Sequence, residues 1–314
     1  MARKRKGEAV SGWICLDKPY DLTSTHAVSR VRRAFNAQKA GHAGTLDPLA
    51  TGILPIALGE ATKTVPFLVD ADKAYRFTLA WGETTATYDR EGDVIARSGV
   101  RPSVAAVEAA LPAFVGEISQ VPPAYSAIKV DGERSYDLAR AGQAVELAPR
   151  LVTIHSARVA DAPDAGHVTL EIECGKGTYV RAIARDLAAM LGACGHVSDL
   201  RRTRVGRFTE QSAVTLELLE DLGYEARQSE LLLPVETALD DIPELAVTAE
   251  DAFRLKQGRA IVLVPRQVES VKARLKPGSR TVSAMAGGSV VALCEMRAGR
   301  LEPSRVFHLE KSGD

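Results

Sequence analysis

Short apolar stretches with the periods of strands and of helices alternate along this chain, without a regular βαβ spacing. Tyr75–Trp81 and Val168–Cys174 alternate apolar and polar residues, which is typical of half-buried strands. After the second of these, Gly175-Lys176-Gly177 turns into a stretch of helical period whose inner face includes Val180 and Leu187. Strands and helices mixed in this irregular order predict a mixed sheet of the α/β or α+β class.

The start of the chain predicts two elements and a loop. A strand over Gly12–Leu16 ends at Asp17-Lys18-Pro19, and a helix follows Thr23 and Ser24, whose hydroxyls can cap its first turn. The next stretch, Gly41–Gly59, contains four glycines and two prolines. It is too interrupted for one continuous element and is predicted as a loop.

The length of 314 residues favours two domains, which we place at residues 10–238 and 245–310. After Leu245 the chain consists of short apolar pieces separated by glycine turns, a pattern that suits five or six short strands in a small β-barrel. Residues 125–150 are polar and rich in glycine and charge, which predicts an insertion rather than part of the core.

The formal net charge is zero, but the charges are unevenly distributed. Residues 217–251 hold eleven acids and one base, so this acidic stretch carries −10 and the rest of the chain +10. Residues 1–39 hold nine bases and three acids, and Leu200–Phe208 contains four arginines. Because local basic patches set the field that a phosphate backbone meets, the neutral total does not exclude a nucleic-acid partner.

Several functional classes lack the residues they need. The four cysteines are isolated, with no CxxC and no Cys/His ligand spacing, so we expect no zinc site and no disulfide framework. Neither GxxxxGK[ST] nor GxGxxG is present, so we expect no nucleotide cofactor, and we expect no metal. No apolar run approaches membrane-spanning length. We therefore expect a cytoplasmic protein that does not enter a membrane.

The segment Gly41–Gly52 surrounds one acid with residues that constrain the backbone. Asp47 precedes a proline, which disfavours the α region, and Gly44 and Gly52 permit close backbone approach on either side. The result would be a short carboxylate on a stiff loop, with neutral neighbours. From the residues alone, a turn aspartate that caps its own backbone is the preferred interpretation, and catalysis stays open.

Several motifs in one order resemble a known enzyme family, the bacterial tRNA pseudouridine synthases of the TruB type, which act on uridine 55 of the T arm. The resemblance spans about residues 12–238. The C-terminal part is similar to the family's small RNA-binding barrel of the PUA type mainly at Ala298–Phe307, and Arg266–Gly288 departs from that pattern. The matching motifs are Leu16–Pro19, Gly41–Lys63, Asp72–Tyr75, Tyr125–Lys129, Lys176–Arg181, His196-Val197 and Leu200–Arg202.

This resemblance implies an α+β fold, with a mixed, mainly antiparallel sheet flanked by helices. Residues 10–238 would form the catalytic domain, with 125–150 as an insertion that grips RNA, and 245–310 a PUA-like RNA-binding domain. The implied reaction converts uridine to pseudouridine without a cofactor or metal, after the base has been flipped out of its loop. The implied partner is the T stem-loop of tRNA, and we expect a monomer with no obligate protein partner.

The resemblance also assigns roles to individual residues. Asp47 would be the nucleophile, and Arg181 would keep it ionised, because burial raises the pKa of a carboxyl group and a nearby positive charge lowers it. Tyr75 would stack on the flipped base, and its hydroxyl would accept a proton during the rearrangement. Core packing remains an alternative for Tyr75.

Four further residues would surround the substrate. His42 would fill the space that the flipped nucleotides leave, and Tyr179 and Leu200 would line the uracil pocket. Lys18 would support either the loop or a phosphate. For Leu200, simple burial in the core remains an alternative.

Binding of the T-arm backbone is assigned to the arginines at 30, 32, 33, 201, 202, 204 and 207, with the acidic stretch facing away from the RNA. A second class of function stays open, a tRNA-folding chaperone or RNA-binding protein in which catalysis is secondary. The enzyme is favoured because Asp47, Tyr75 and Arg181 are all present, whereas a binding protein needs only the basic surface.

Overall fold

The computed structural model describes residues 7–222 and 231–309, apart from 127, 131, 136, 137, 139, 140, 142, 144 and 146, so part of the predicted insertion lies outside the described residues. Strands form a large first sheet, a smaller second sheet and two hairpins. The α-helices of the described residues include α1 Ser24–Ala34, α2 Val65–Val69, α3 Val104–Ala110, α4 Val180–Met190, α5 Leu216–Asp221, α6 Ala249–Lys256 and α7 Pro265–Lys272.

The first sheet is mixed and mainly antiparallel, as the resemblance implies. Its strands are β1 Gly12–Lys18, β2 Ala40–His42, β3 Thr51–Leu58, β4 Lys73–Trp81, β7 Gly116–Gln120, β10 Arg150–Asp164, β11 His167–Cys174, β12 Gly195–Val205, β13 Phe208–Thr209 and β14 Val214–Thr215. They follow the order β14-β1-β3-β12-β4-β11-β10-β7, with β2 beside β3 and β13 beside β12. The pairs β1–β14 and β3–β12 are parallel. The hairpins are β5 Glu83–Thr85 with β6 Val94–Arg97, and β8 Lys129–Val130 with β9 Glu133–Arg134.

The predicted periodic segments form the predicted elements. Strands β4 and β11 cover the two alternating stretches and pair with each other, and α4 begins at Val180. Helix α1 starts after Thr23, whose side chain accepts a hydrogen bond from the backbone N–H of His26 at 3.2 Å. Strand β1 extends through Lys18, two residues further than predicted.

The prediction of a loop throughout Gly41–Gly59 is wrong at residues 41–42, which belong to β2, and over residues 51–58, which form strand β3 in the interior of the first sheet. Seven of its eight residues are buried. Pro55 stands within this strand, opposite Cys15 in β1. Both faces of β3 are covered, since Leu54 and Ile56 belong to one apolar core and Ile53 and Ala57 to another.

The second sheet has the order β15-β17-β18-β19-β16 and curls into half a barrel. Its strands are β15 Glu244–Ala246, β16 Ile261–Val262, β17 Thr281–Ala286, β18 Ser289–Arg297 and β19 Arg300–Val306. The predicted strand number of five or six agrees with these five. Helices α6 and α7 were not predicted, and α7 begins the stretch 266–288 that departs from the family's pattern.

Two apolar cores hold the first sheet, and the second of them reaches the second sheet. One core lies against helices α1, α3, α4 and α5. The other joins Trp13 and Phe208 of the first sheet to Leu293 of β18 and to Phe307. In the described part of the chain, no helix combines the length and the apolar character needed to cross a membrane.

Candidate active site

Asp47 lies in the loop that joins β2 to β3, residues 43–50. Its side chain is 37% exposed. The backbone N–H of Ala50 donates to the carbonyl of Asp47 at 3.1 Å, which closes a tight turn after the carboxylate. The aspartate therefore projects from a short and well-fastened loop, and it stays accessible to another molecule.

Arg181, the second residue of α4, is the ion-pair partner of Asp47. Its Nη2 atom lies 2.9 Å from Asp47 Oδ2, and its side chain is 7% exposed. The same guanidinium donates to the backbone carbonyls of Thr87 at 3.1 Å and Tyr125 at 2.9 Å. These bonds fix its plane. The structure thus brings together the two groups whose pairing the family resemblance implied.

A second carboxylate shares this guanidinium, and the sequence analysis missed it. Asp89 Oδ2 lies 3.4 Å from Arg181 Nη1, and the Asp89 side chain is 3% exposed. Its Oδ1 atom accepts hydrogen bonds from the Thr87 hydroxyl and from the backbone N–H of Glu91. One arginine thus bridges a buried acid and an accessible one. Asp89 stands in a turn with no distinctive motif, so its role becomes visible only in three dimensions.

Arg202 holds the two ends of the loop that carries Asp47. Its guanidinium donates to the carbonyls of Gly44 at 3.1 Å, Thr45 at 3.4 Å and Ile53 at 2.7 Å. The residue is 1% exposed. The prediction that Arg202 grips an RNA backbone is therefore wrong, because its side chain is buried under the loop.

Lys18 fixes the same loop from the end of β1. Its ammonium group donates to the carbonyls of Pro19 at 2.9 Å, Leu22 at 2.7 Å and Pro48 at 3.1 Å, and the residue is fully buried. Burial lowers the pKa of Lys18 to about 8, while the charge of Asp47 acts in the opposite direction. Of its two predicted roles, these contacts favour support of the loop.

Tyr75 and Leu200 lie in neighbouring strands beside this loop. Tyr75 stands opposite Arg202 in the β4–β12 ladder and is half-buried against the core that contains Leu200. Burial raises the pKa of the Tyr75 hydroxyl, and the negative charge of Asp47 adds to the rise. Leu200 is 5% exposed, which matches the core alternative of the sequence analysis and leaves at most its edge for a base.

His42 and Tyr179 complete the set of predicted residues. His42 ends β2, and burial lowers its pKa, so the ring is neutral at physiological pH. Its Nδ1 atom has no hydrogen-bond partner within the described ranges. Tyr179 precedes α4, and Gln120 binds both its backbone N–H and its carbonyl. Burial raises the pKa of the Tyr179 hydroxyl, and the charge of Asp47 contributes to this rise.

Several of the predicted RNA-gripping arginines are paired with acids. Arg30 binds Glu220 of α5, with Nε 2.7 Å from Oε1, so α1 points one of its arginines at the acidic stretch that was predicted to face away from RNA. The surface around Arg30 is therefore not a free basic patch. Other pairs are Arg201 with Asp17 and Glu210, Arg204 with Glu173, and Arg207 with Asp240.

The described residues contain no group of three or more His, Cys, Asp or Glu that could hold a metal ion. What the site offers is a carboxylate held by a guanidinium, close to the hydroxyls of Tyr75 and Tyr179. A carboxylate in this setting can act as a nucleophile or a base, and a phenol can exchange a proton or stack on a ring.

Comparison with known proteins identifies the family. Residues 32–180 match the model of the TruB family pseudouridylate synthase N-terminal domain, and residues 181–240 match the tRNA pseudouridylate synthase B C-terminal domain. The protein named tRNA pseudouridine synthase B from a Caulobacter species is 75% identical to this chain, over 98% of this chain and 100% of its own length. The chain belongs to the TruB family of pseudouridylate synthases.

A further relative and a solved structure also match nearly the whole of this chain. The tRNA pseudouridine synthase B of Nitrobacter winogradskyi is 54% identical over 98% of this chain and 85% of its own length. A solved structure, the crystal structure of a Cbf5-Nop10-Gar1 complex, superposes with a TM-score of 0.69 and 26% identity over 95% of this chain and 85% of the solved one. The chain is accordingly a pseudouridine synthase, an enzyme that isomerises uridine.

Proposed function

We propose that this enzyme converts uridine 55 in the T arm of tRNA to pseudouridine, with Asp47 as the nucleophile. The observation that carries the proposal is the 2.9 Å ion pair between Asp47 and the buried Arg181. It occurs in a chain that is 75% identical to a protein named tRNA pseudouridine synthase B. The proposed site is the loop 43–50 together with Tyr75, Tyr179 and Arg181.

The isomerisation breaks the N1–C1′ bond of uridine and forms a C5–C1′ bond. The proton on C5 is removed and N1 takes up one proton, so the composition does not change. A carboxylate at Asp47 can form a transient bond to C1′ of the ribose or to C6 of the base. Both carboxylates bound by Arg181 are fixed before substrate arrives, so the nucleophile needs no reorganisation. Because the Tyr75 hydroxyl is protonated at neutral pH, its proposed role as proton acceptor requires it to release its own proton in the same step.

The target base must leave its loop to reach Asp47. Flipping costs a few kcal/mol, and stacking on an aromatic ring returns about 1–3 kcal/mol per base. Tyr75 would provide the stacking surface, and Tyr179 and the edge of Leu200 would line the uracil. The neutral ring of His42 would fill the vacated space.

The partner is the T stem-loop of tRNA, and the enzyme acts as a monomer in the cytoplasm. Arg32 and Arg33 are exposed on α1 and can contact the RNA backbone, since phosphate contacts position a protein without reading sequence. The insertion at 125–150 and the C-terminal sheet would add to this grip. A chaperone that opens and refolds tRNA is the second candidate function, and it would use the same surfaces without Asp47.

The test uses the purified enzyme and an unmodified tRNA transcript, without added metal or nucleotide. Wild-type protein should convert one uridine, at position 55, which sequencing after chemical marking of pseudouridine locates. Asp47→Asn should abolish product and change the Kd for tRNA by less than about threefold, because the substitution preserves shape and removes only the charge. Asp186→Asn is the matched control, since Asp186 is 40% exposed and also pairs with an arginine, Arg185, on α4.

Three outcomes would contradict the proposal. Modification at another position would reject the T-arm assignment. Turnover by Asp47→Asn would reject the nucleophile. Loss of tRNA binding together with product would make Asp47 a structural turn residue, the interpretation that its sequence context alone preferred.

A further inference from the structure

Two turns distant in sequence meet beside the active-site loop and stack an arginine on an exposed tyrosine. The guanidinium carbon of Arg90 lies 4.4 Å from the centre of the Tyr20 ring. Tyr20 is 50% exposed, and Arg90 is exposed as well.

The first turn, residues 19–22, is fastened to the loop of Asp47. Lys18 binds the carbonyls of Pro19 and Leu22 at the two ends of the turn, and it also binds Pro48. The backbone N–H of Asp21 donates to the carbonyl of Pro48 at 3.0 Å. The position of Tyr20 is therefore fixed relative to Pro48, the residue that follows Asp47.

The second turn, residues 86–91, is fastened to the ion pair. Asp89 pairs with Arg181, and Arg181 pairs with Asp47. Arg90 directly follows Asp89 in the chain. The backbone N–H of Arg90 donates to the carbonyl of Val197 at 3.2 Å, which docks the turn on β12. The Tyr20–Arg90 stack thus forms part of the rim around Asp47.

Arg90 is the group at this rim that can attract a polyanion, because the other charged residues named here are acids. In the part of the chain that the structure describes, Arg90 has no carboxylate within 4.0 Å, although Asp21, Asp89 and Glu91 are its neighbours. A guanidinium has five N–H donors, so an arginine held over a ring can still bind a phosphate. The ring of Tyr20 provides a stacking surface beside it, and base and phosphate are the two parts of a nucleotide.

We propose that Tyr20 and Arg90 form a nucleotide subsite that binds the RNA residue next to the reacting uridine, with the base on Tyr20 and its phosphate on Arg90. The proposal rests on the proposed function, because it requires an RNA substrate at Asp47. A nucleotide held there extends the strand across the mouth of the site. It would help to keep the flipped uridine in place, since its neighbour in the chain is anchored on the rim.

The test compares Tyr20→Leu with its matched control Tyr20→Phe in steady-state assays on a T stem-loop hairpin. Tyr20→Leu should raise KM about 10-fold, the effect expected for loss of one stacked base, and leave kcat within about twofold. Tyr20→Phe keeps the ring and should match the wild type. Arg90→Gln should raise KM and reduce the slope of log KM against log salt by about one.

A modified RNA identifies the contacted nucleotide. Hairpins that carry an abasic residue on the 5′ or the 3′ side of the target uridine remove one base at a time. With the correct neighbour abasic, wild type and Tyr20→Leu should have the same KM. This coupling is specific to stacking, because a merely structural role of Tyr20 would affect every RNA equally.

The outcomes separate the subsite from the proposed function. An unchanged KM in Tyr20→Leu, a loss confined to kcat, or the same loss on both abasic hairpins would overturn the subsite while wild type still forms pseudouridine. A wild-type enzyme that forms no product at uridine 55 would instead reject the proposed function. Thermal melting of each variant confirms that a change in KM does not reflect unfolding.

Discussion

For Arg202, the role expected from the sequence context and the position in the structure differ most. It stands in a run of four arginines, Leu200–Phe208, and such a run is usually a solvated or nucleic-acid-binding face. In a strand, however, alternate residues point to opposite faces, so Arg202 shares the inward face with Leu200, two residues earlier. The alternation was a usable signal. The high density of arginines hides this alternation.

The first prediction concerns Arg202→Lys. Lysine keeps the charge but cannot reproduce the planar set of bonds to Gly44, Thr45 and Ile53, so the loop of Asp47 should lose its fixed position. We expect kcat to fall about 100-fold, the effect of an error of about 1 Å in the position of a reacting group, with KM within about twofold. Single-turnover kinetics well below the melting temperature measure this change.

Arg204→Lys provides the control for Arg202→Lys. Arg204 lies in the same strand, is 31% exposed and has one carboxylate partner, Glu173 at 3.1 Å. This variant should keep the wild-type kcat. Equal kcat values for wild type and Arg202→Lys would show that the three carbonyl contacts do not position the loop for the reaction.

The second prediction concerns the pH dependence of Lys18. Below its pKa of about 8 the ammonium has three protons for three carbonyls, and above it the amine has two, so the contact with Pro48 weakens. The rate at saturating RNA should therefore fall as pH rises through about 8. The pKa of Lys18 in the folded protein lies below 10.5, the ordinary value for lysine, so between these two values a rise in pH stabilises the folded state. Unfolding would therefore not explain the loss of rate.

Two variants assign the alkaline decline to its source. Lys18→Arg stays charged over this range and should remove the decline, even if the overall rate is lower. Burial also lowers the pKa of Lys73 to about 8, but Lys73 binds the carbonyls of Val69 and Ala71, outside the loop. Lys73→Arg should keep the decline. A decline that disappears with Lys73→Arg, or persists in Lys18→Arg, would contradict the assignment.

At the scale of elements, strands buried on one face were predicted and a strand buried on both faces was not. Tyr75–Trp81 and Val168–Cys174 alternate in hydropathy because one face of each is more polar. Strand β3 reads Ile53-Leu54-Pro55-Ile56-Ala57-Leu58, a continuous apolar run, because both of its faces are covered. Gly52 and Pro55 within this strand are residue types that usually indicate a turn or loop.

The glycine at the start of β3 carries the third prediction. Gly52 has a φ of +94°, and a Cβ there would stand 2.2 Å from the carbonyl oxygen of Arg202. Gly52→Ala should lower the free energy of unfolding by about 2–5 kcal/mol through left-handed strain and overpacking. Gly41→Ala is the control, because a Cβ at Gly41 meets nothing within 4 Å. Urea unfolding measures both, and equal midpoints would show that β12 can move away from β3 at little cost.

At the scale of the whole molecule, the two sheets are joined by a set of polar contacts as well as by a shared apolar core. Lys63 Nζ donates to the carbonyl of Val306 at 2.7 Å, and Glu60 accepts from the backbone N–H of His308 at 2.8 Å. Glu60 and Lys63 also pair with each other at 2.6 Å, and Arg305 donates to the carbonyl of Lys63. Glu60 and Lys63, at the end of the long motif 41–63, therefore join the two sheets directly.

The shared core determines how the C-terminal sheet can be tested. Trp13 and Phe208 of the first sheet pack in one cluster with Phe307, which follows β19 and is fully buried. Deletion of residues 245–314 would expose that cluster, so a loss of activity would not separate RNA binding from stability. A point substitution in the cluster is the sharper experiment.

Phe307→Ala carries the last prediction. It should lower the free energy of unfolding by about 3–5 kcal/mol, because it empties a fully buried site, and both sheets should still unfold in one transition. Phe253→Ala is the control in the same C-terminal region, where Phe253 is 62% exposed, and its effect should be within about 0.5 kcal/mol. Calorimetry and hydrogen exchange at β1 and β18 follow the two sheets separately. If Phe307→Ala loosened only β18 while β1 kept its wild-type protection, the sheets would be independent units, and truncation would become a fair test of RNA binding.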